Sequence, residues 1–286
     1  VVFVGCQKRV ETGLTTADFP IARQYVSFCS GNSIKSKQHK EIVVIIERDG
    51  HHVELSKLGG TITEWSYRGA EILFPRGEVV RRGEKKIRGG MHACFPNFGP
   101  VAKEFGLPQH GPFCEIEGVE TNGDSVVFNN NSVWGLVGES CQVITRVAVS
   151  GQAITYLLTT NLKSPGKSLR INPGIHPYFR TPQGAARIVL RGEKPMFVVG
   201  SQMEAATRSF TAPGPATVEI FGLGTVEIYS SFDRPKQKIV IWRDSADYIC
   251  VSPVIALPEF YGTNKCPELR YGCALEAVWT FLFIPE

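Results

Sequence analysis

The chain has 286 residues, 43% of them hydrophobic and 20% charged, with a formal net charge of +4. That is enough apolar material for one large domain or two smaller ones, and too small a positive excess to argue for a nucleic-acid partner. No run of about 18 apolar residues occurs, so no membrane-spanning helix is expected.

Residues 1–41 differ from the rest. A short apolar start, Val1 to Val4, passes through mixed sequence into the polar, basic run Ser30 to Lys40. They read as an appended arm or linker that covers one end of the core or docks a protein partner. Residues 42–286 read as the folded body. The eight cysteines are scattered, with no C-x-x-C pair and no histidines at zinc spacing, so no metal centre is expected. A domain of this size does not need disulfides. The thiols are therefore expected to be reduced and mostly buried, in an intracellular compartment. That compartment is the cytoplasm, or an organelle such as a plastid if a leader was removed ahead of Val1.

The body reads as strand after strand. Ile42 to Glu47 is followed by the turn signal Asp49-Gly50 and the alternating run His52 to Leu58. His51-His52 reads as a surface pair at a strand start. Gly59-Gly60 turns into Thr61 to Tyr67. Further strands are predicted at Cys114 to Glu120, Ser125 to Asn129, Cys141 to Val149 and Ala153 to Asn161, with tight turns at Asn122-Gly123 and Ser150-Gly151. The second half adds Ala186 to Leu190, Ala216 to Phe221, Thr225 to Ser230, Lys238 to Arg243, Tyr248 to Ser252 and Cys273 to Phe283. Helical periods are almost absent. The pattern predicts an all-β fold, a large antiparallel β-sandwich. Asn130-Asn131-Ser132 fits a glycosylation pattern that is too short to be specific.

Two stretches escape these periods. Arg88 to Pro112 is dense in Gly and Pro yet holds Phe95, Phe98, Phe105 and Leu107. It is expected to be a long, packed loop, either an ordered surface loop or the wall of a site. Arg88, His92, Asn97, Gln109 and His110 give it a guanidinium, two imidazoles and two amides, groups that bind a polyhydroxylated or anionic ligand. The basic residues Arg81, Arg82, Lys85 and Lys86 ahead of it read as a solvated loop or an anion-capturing rim. The second stretch is Arg170 to Phe179, where His176 is held between Pro173 and Pro177 beside Tyr178 and Phe179. Such an imidazole is either tuned for proton transfer or a satisfied structural group. Pro165-Gly166-Lys167-Ser168 fails as a phosphate loop because Asn161 stands where its first glycine is required. Gly222-Leu223-Gly224 lacks the third glycine of a dinucleotide fingerprint. No cofactor is expected.

Taken together, the two stretches resemble the aldose 1-epimerase, or galactose mutarotase-like, superfamily, and most closely its glucose-6-phosphate 1-epimerase branch. Arg88-Gly89-Gly90 through Phe95-Pro96-Asn97-Phe98-Gly99 resembles that branch's RGG-x-x-x-x-FP-x-FG run. Leu107 to Gly111 resembles L-x-QHG, and Asn172 to Phe179 resembles N-x-x-x-H-x-YF. Ile239 to Trp242 and Tyr248 to Val251 resemble its late strand pair. The resemblance covers residues 42–286. It implies a galactose mutarotase-like supersandwich acting on a sugar or sugar phosphate. It also implies His176 as the acid that protonates the ring oxygen and His110 as a second catalytic, positioning histidine. Arg88, Asn97 and Gln109 would be substrate contacts.

Three departures accompany the resemblance. The family's base is the glutamate of a cysteine-valine-glutamate-proline stretch, and here the residues are Cys250-Val251-Ser252-Pro253. A serine hydroxyl is far too weak a base near pH 7 without its own activator. The arginine expected after the HG pair is replaced by Pro112, Phe113 and Cys114. The acidic residue expected in the second half has no counterpart between Phe221 and Ser230, and Asp233-Arg234 comes late. Glu259 is the nearest carboxylate after Ser252. The expectation is a sugar-binding protein with an impaired catalytic set, working as a non-catalytic binding or scaffold subunit. The alternative is an active hexose or hexose-6-phosphate 1-epimerase with a rearranged base.

Overall fold

The hairpin Cys141–Ser150 and Ala153–Leu162 shows how the sequence builds the body. Val143, Thr145 and Val147 on one strand and Ile154, Tyr156 and Leu158 on the other are buried. The residues between them stay at least partly exposed, because successive side chains of a strand leave on opposite faces. The computed structural model describes residues 2–4, 43–81, 83–100, 106–118, 120–122, 125–129, 141–200, 207–232 and 236–286.

Among the described residues, two large antiparallel sheets of ten strands each carry the fold. The first runs from Met196–Val199 through Ala185–Leu190, Ala216–Ile220, Gly224–Ser230, Ala274–Pro285, Ala153–Leu162, Cys141–Ser150 and Ser125–Asn129 to Glu120–Asn122. Val2–Val4 pairs with the start of Ala274–Pro285. The second runs from Arg208–Pro213 through Lys236–Trp242, Tyr248–Val254, Gly174–Pro177, Met91–Cys94, Ile62–Tyr67 and His51–Ser56 to Val43–Arg48. One apolar core fills the space between the sheets. Trp65, Ile175, Ile241 and Val251 of the second sheet share it with Tyr156, Leu158, Trp279 and Phe281 of the first. The expected all-β sandwich is the observed architecture. No helix among the described residues is long and apolar enough to cross a membrane.

Four local expectations need correction. The strand expected from Cys114 to Glu120 is a 3-10 turn at Phe113–Glu115, with a strand only at Glu120–Asn122. The basic run is no loop. Gly77–Arg81 and Glu84–Arg88 form a hairpin apart from both large sheets, and Lys85 and Lys86 pair with Glu78 and Glu84. Within Arg88 to Pro112, Met91–Cys94 is a central strand with all four residues buried. Burial on both faces abolishes the polar alternation by which a strand is recognised. His51 is not a surface residue but 3% exposed. The Asp49-Gly50 turn sets it on the core face, where Trp65 Nε1 donates to its Nδ1 at 2.9 Å and its Nε2 lies 3.1 Å from the Gly151 carbonyl. Residues 5–42, the Asn130-Asn131-Ser132 pattern and Asp233-Arg234 lie outside the described residues.

Phe281 touches the shared core from the centre of the first sheet. Replacing it with alanine is expected to lower the unfolding free energy by about 3–5 kcal/mol in urea denaturation. Ile284→Ala, near the exposed end of the same strand, should cost about 0.5 kcal/mol or less.

Candidate functional site

The outer face of the second sheet gathers the unusual side chains. In its central strands, alternate residues go to the core: Met91 and Ala93, Ile175, Ile249 and Val251, Ile239 and Ile241. The residues between them face outward: His92, Cys94, His176, Cys250, Ser252 and Trp242. The register pairs His176 with His92 and Gly174 with both Cys94 and Val254. Counting two residues along each strand from the Gly174–Val254 pair brings His176 level with Ser252. Ser252 Oγ lies 3.3 Å from His176 Nδ1.

A folded-down loop covers this face. Asn172 fixes it to the sheet: the Phe98 amide donates to the Asn172 carbonyl at 2.7 Å and the Asn172 amide donates to the Pro96 carbonyl at 2.7 Å. The Asn172 side-chain oxygen accepts from the Ala256 amide at 2.8 Å. His110 sits at positive φ, and the Gly99 amide donates to its Nδ1 at 3.3 Å. At Gly111 a Cβ would stand 2.1 Å from the Phe95 carbonyl oxygen, so only glycine lets the loop close there. The result is a cluster of rings. His176 is 5.0 Å from His110, 5.3 Å from His92, 5.7 Å from Phe98 and 4.8 Å from the stacked Tyr178, centroid to centroid.

A charged rim borders the rings. Arg88, at the end of the Glu84–Arg88 strand, donates from Nη2 and Nε to Asp244 Oδ2 at 3.2 and 3.4 Å, and from Nη1 to the Ile87 carbonyl at 3.1 Å. Its guanidinium stands 5.2 Å from the centre of the Trp242 ring. Trp242 in turn meets His176 edge-on at 5.9 Å. The Tyr248 hydroxyl donates to the other oxygen of Asp244. Arg88 and Asp244 keep 18% exposure each, whereas His176 keeps 4% and Ser252 1%.

Burial dominates the electrostatics. Desolvation pushes His92 and His176 well below the usual histidine range, helped by His110, Arg76 and Arg88 at His92 and by His110, His92 and Arg88 at His176. Burial and Arg88 bring His110 down to about 4. All three are uncharged near neutrality. Burial also raises the Cys94 and Cys250 thiols well above their ordinary value, so neither is a reactive thiolate. Arg88 is pulled down by burial, but Tyr178, Asp244 and Tyr248 outweigh that and raise it.

The structure brings Arg88, His110, His176 and Ser252 into one neighbourhood. Asn97 is 1% exposed and donates to the Pro100 carbonyl at 3.4 Å. Gln109 is exposed at the edge, with Nε2 3.3 Å from His110 Nε2. Glu259 is exposed on the 3-10 turn Pro258–Phe260. Sequence reasoning did not single out Asp244 or the ring role of His92. Asp244 lies two residues past the strand Lys236–Trp242, and nothing in that local sequence ties it to Arg88, 156 positions away.

No protein-family model matches the chain, and no curated protein matches it. Solved structures do. A protein from Synechocystis sp. aligns with a TM-score of 0.67 at 16% identity, over 90% of this chain and 100% of its own. A galactose mutarotase-related enzyme from Lactobacillus acidophilus aligns at 0.65 and 14%, over 85% and 97%. A galactose mutarotase-like protein from Lactobacillus casei aligns at 0.68 and 12%, over 85% and 100%. The fold of this chain is therefore similar to the galactose mutarotase-like sandwich along nearly its whole described length.

The depressed imidazoles have a consequence for stability. In the unfolded chain they take up protons near pH 6.5, while in the fold they remain neutral to lower pH. The unfolded state then binds more protons, so stability is full above pH 6.5 and is lost as pH falls toward about 4, where His110 itself protonates. Urea midpoints measured between pH 7.5 and 4.5 should fall with pH, with a shallower slope in His110→Gln.

Proposed function

We propose that this chain binds a neutral sugar on the outer face of its second sheet and has lost 1-epimerase turnover, serving as a non-catalytic binding or scaffold subunit. The observation that carries the reading is Ser252 facing His176 at 3.3 Å. Anomer interconversion needs a base for the C1 hydroxyl and an acid for the ring oxygen, on opposite sides of the sugar. Here the position the resemblance assigns to the base holds an alcohol. The imidazole assigned as the acid is neutral and 4% exposed. Loss of a general base alone costs about two to four orders of magnitude in rate.

The ligand class follows from Arg88. A guanidinium that takes a phosphate in a fork must have its donors free. Asp244 takes the Nε–Nη2 fork of Arg88 and the Ile87 carbonyl takes one Nη1 hydrogen, which leaves two N–H donors but no uncompensated charge to draw a phosphate. The rim offers hydroxyl partners and the partly exposed Trp242 ring, which suit an uncharged pyranose better than a sugar phosphate. His110 and Gln109 complete that edge as contacts, with Asn97 supporting the loop beneath. Residues 1–41 are the arm through which a protein partner would dock.

One observation favours a second reading, an active hexose 1-epimerase: Asp244 places a carboxylate at the same rim as Trp242 and Arg88. Exchange NMR on the α and β anomers of glucose, galactose and glucose 6-phosphate separates the two. The proposed reading expects wild-type rates indistinguishable from buffer, and Ser252→Glu raising the hexose rate. Wild-type exchange well above buffer that collapses in both His176→Ala and Asp244→Asn establishes the enzyme instead. Tryptophan fluorescence titration should show hexose binding that Trp242→Ala weakens. Asp244→Asn, by freeing Arg88, should improve binding of glucose 6-phosphate several-fold.

A further inference from the structure

A second group of ligand-type side chains lies on the far strands of the same sheet. His52 and Glu54 stand two residues apart on His51–Ser56, and Glu64 on Ile62–Tyr67 is directly opposite Glu54. One donor atom from each of the three lies within 4.8 Å of the others. Glu47, opposite His52 on Val43–Arg48, holds the inner ring nitrogen, with Oε1 3.3 Å from Nδ1. The other nitrogen, Nε2, is left facing Glu54, 3.6 Å from its Oε1. The pairing register shifts between Glu54 and Leu55, a bulge that re-aims the side chain at that point.

Like charges directly opposite on antiparallel strands repel. Among the described residues, no lysine or arginine is at ion-pair distance from Glu54 or Glu64. The one countercharge beside Glu54 among the described residues is the His52 ring, which Glu47 also shares. That one imidazole is shared between Glu47 and Glu54, and Glu64 opposite Glu54 has no such partner among the described residues. A divalent cation balances the inner pair and uses the neutral form of the ring. The Glu47–Nδ1 contact is the arrangement that fixes tautomer and orientation in a metal-bound histidine.

We propose that His52 Nε2, Glu54 and Glu64 form a surface site for a divalent transition-metal ion, with water completing the coordination. An imidazole among carboxylates favours zinc over magnesium or calcium, which take oxygen ligands alone. The site ties Ile62–Tyr67 to His51–Ser56 at the bulge, and it stands apart from the sugar-binding reading.

The test is calorimetric titration of the full chain, stripped with chelator, with zinc chloride, and visible absorption with cobalt as a second probe. One ion per chain is expected, together with cobalt d–d bands. His52→Asn and Glu64→Gln should abolish both signals, and Glu47→Gln should weaken binding about tenfold. Circular dichroism of the metal-free variants should match wild type. Absence of zinc binding to the wild-type chain overturns the site. So does binding that folded His52→Asn and Glu64→Gln retain unchanged.

Discussion

The arrangement rests on the pairing register of four central strands of the second sheet. A β-strand sends alternate side chains to opposite faces, and a slip of one residue would exchange them. With Gly174 level with Cys94 and Val254, the outward residues His92, His176 and Ser252 fall side by side. The inward residues Ala93, Ile175 and Val251 complete the core against the first sheet. Apolar burial therefore sets the geometry of the polar cluster. The inward side chains hold the register, and the outward ones are placed by it.

Both faces of these strands are covered, and that has an electrostatic cost. Phe98 and His110, from the described residues 95–100 and 106–111 of the loop held by Asn172, pack against His176 and help to desolvate it. An imidazolium there would lose its hydration with no carboxylate among its contacts to replace it. The cluster accordingly stays neutral. Asp244, at the rim beside Arg88 and Trp242, is taken up by Arg88 and the Tyr248 hydroxyl. Beside these rings the Arg88–Asp244 pair is compensated at the rim, and the buried floor is aromatic and uncharged.

The sequence shows these features unevenly, for physical reasons. Long strands with one face toward the core, such as Cys141–Ser150 and Ala274–Pro285, carry period two and are legible. Met91–Cys94 and Gly174–Pro177 are four residues each and buried on both faces, so no alternation marks them. Their glycines, prolines and histidines mark them instead. Ser252 was legible against the family pattern because its neighbours Cys250, Val251 and Pro253 fixed its position. Asp244 was not, since its place depends on how the Gly77–Arg88 hairpin folds back to bring Arg88 over Trp242. His51 reads as a surface residue because a polar residue that opens a strand gives no sign of its face until the turn before it is fixed.

The same logic couples the two halves of the lost chemistry in the proposed reading. A glutamate at position 252 would be an anion in a site where only 1% of the present side chain meets solvent, so it would need a countercharge. The ring at His176 is within reach, and an adjacent anion would favour its protonated form. Base and acid would thus sustain each other: the carboxylate keeps the imidazole charged, and the imidazolium keeps the carboxylate ionised. With a hydroxyl there instead, neither charge has a partner, and burial drives the ring to neutrality. On that reading, a single change of side chain would remove the proton acceptor directly and the proton donor indirectly, while leaving in place the sheet register and the apolar packing that hold both positions.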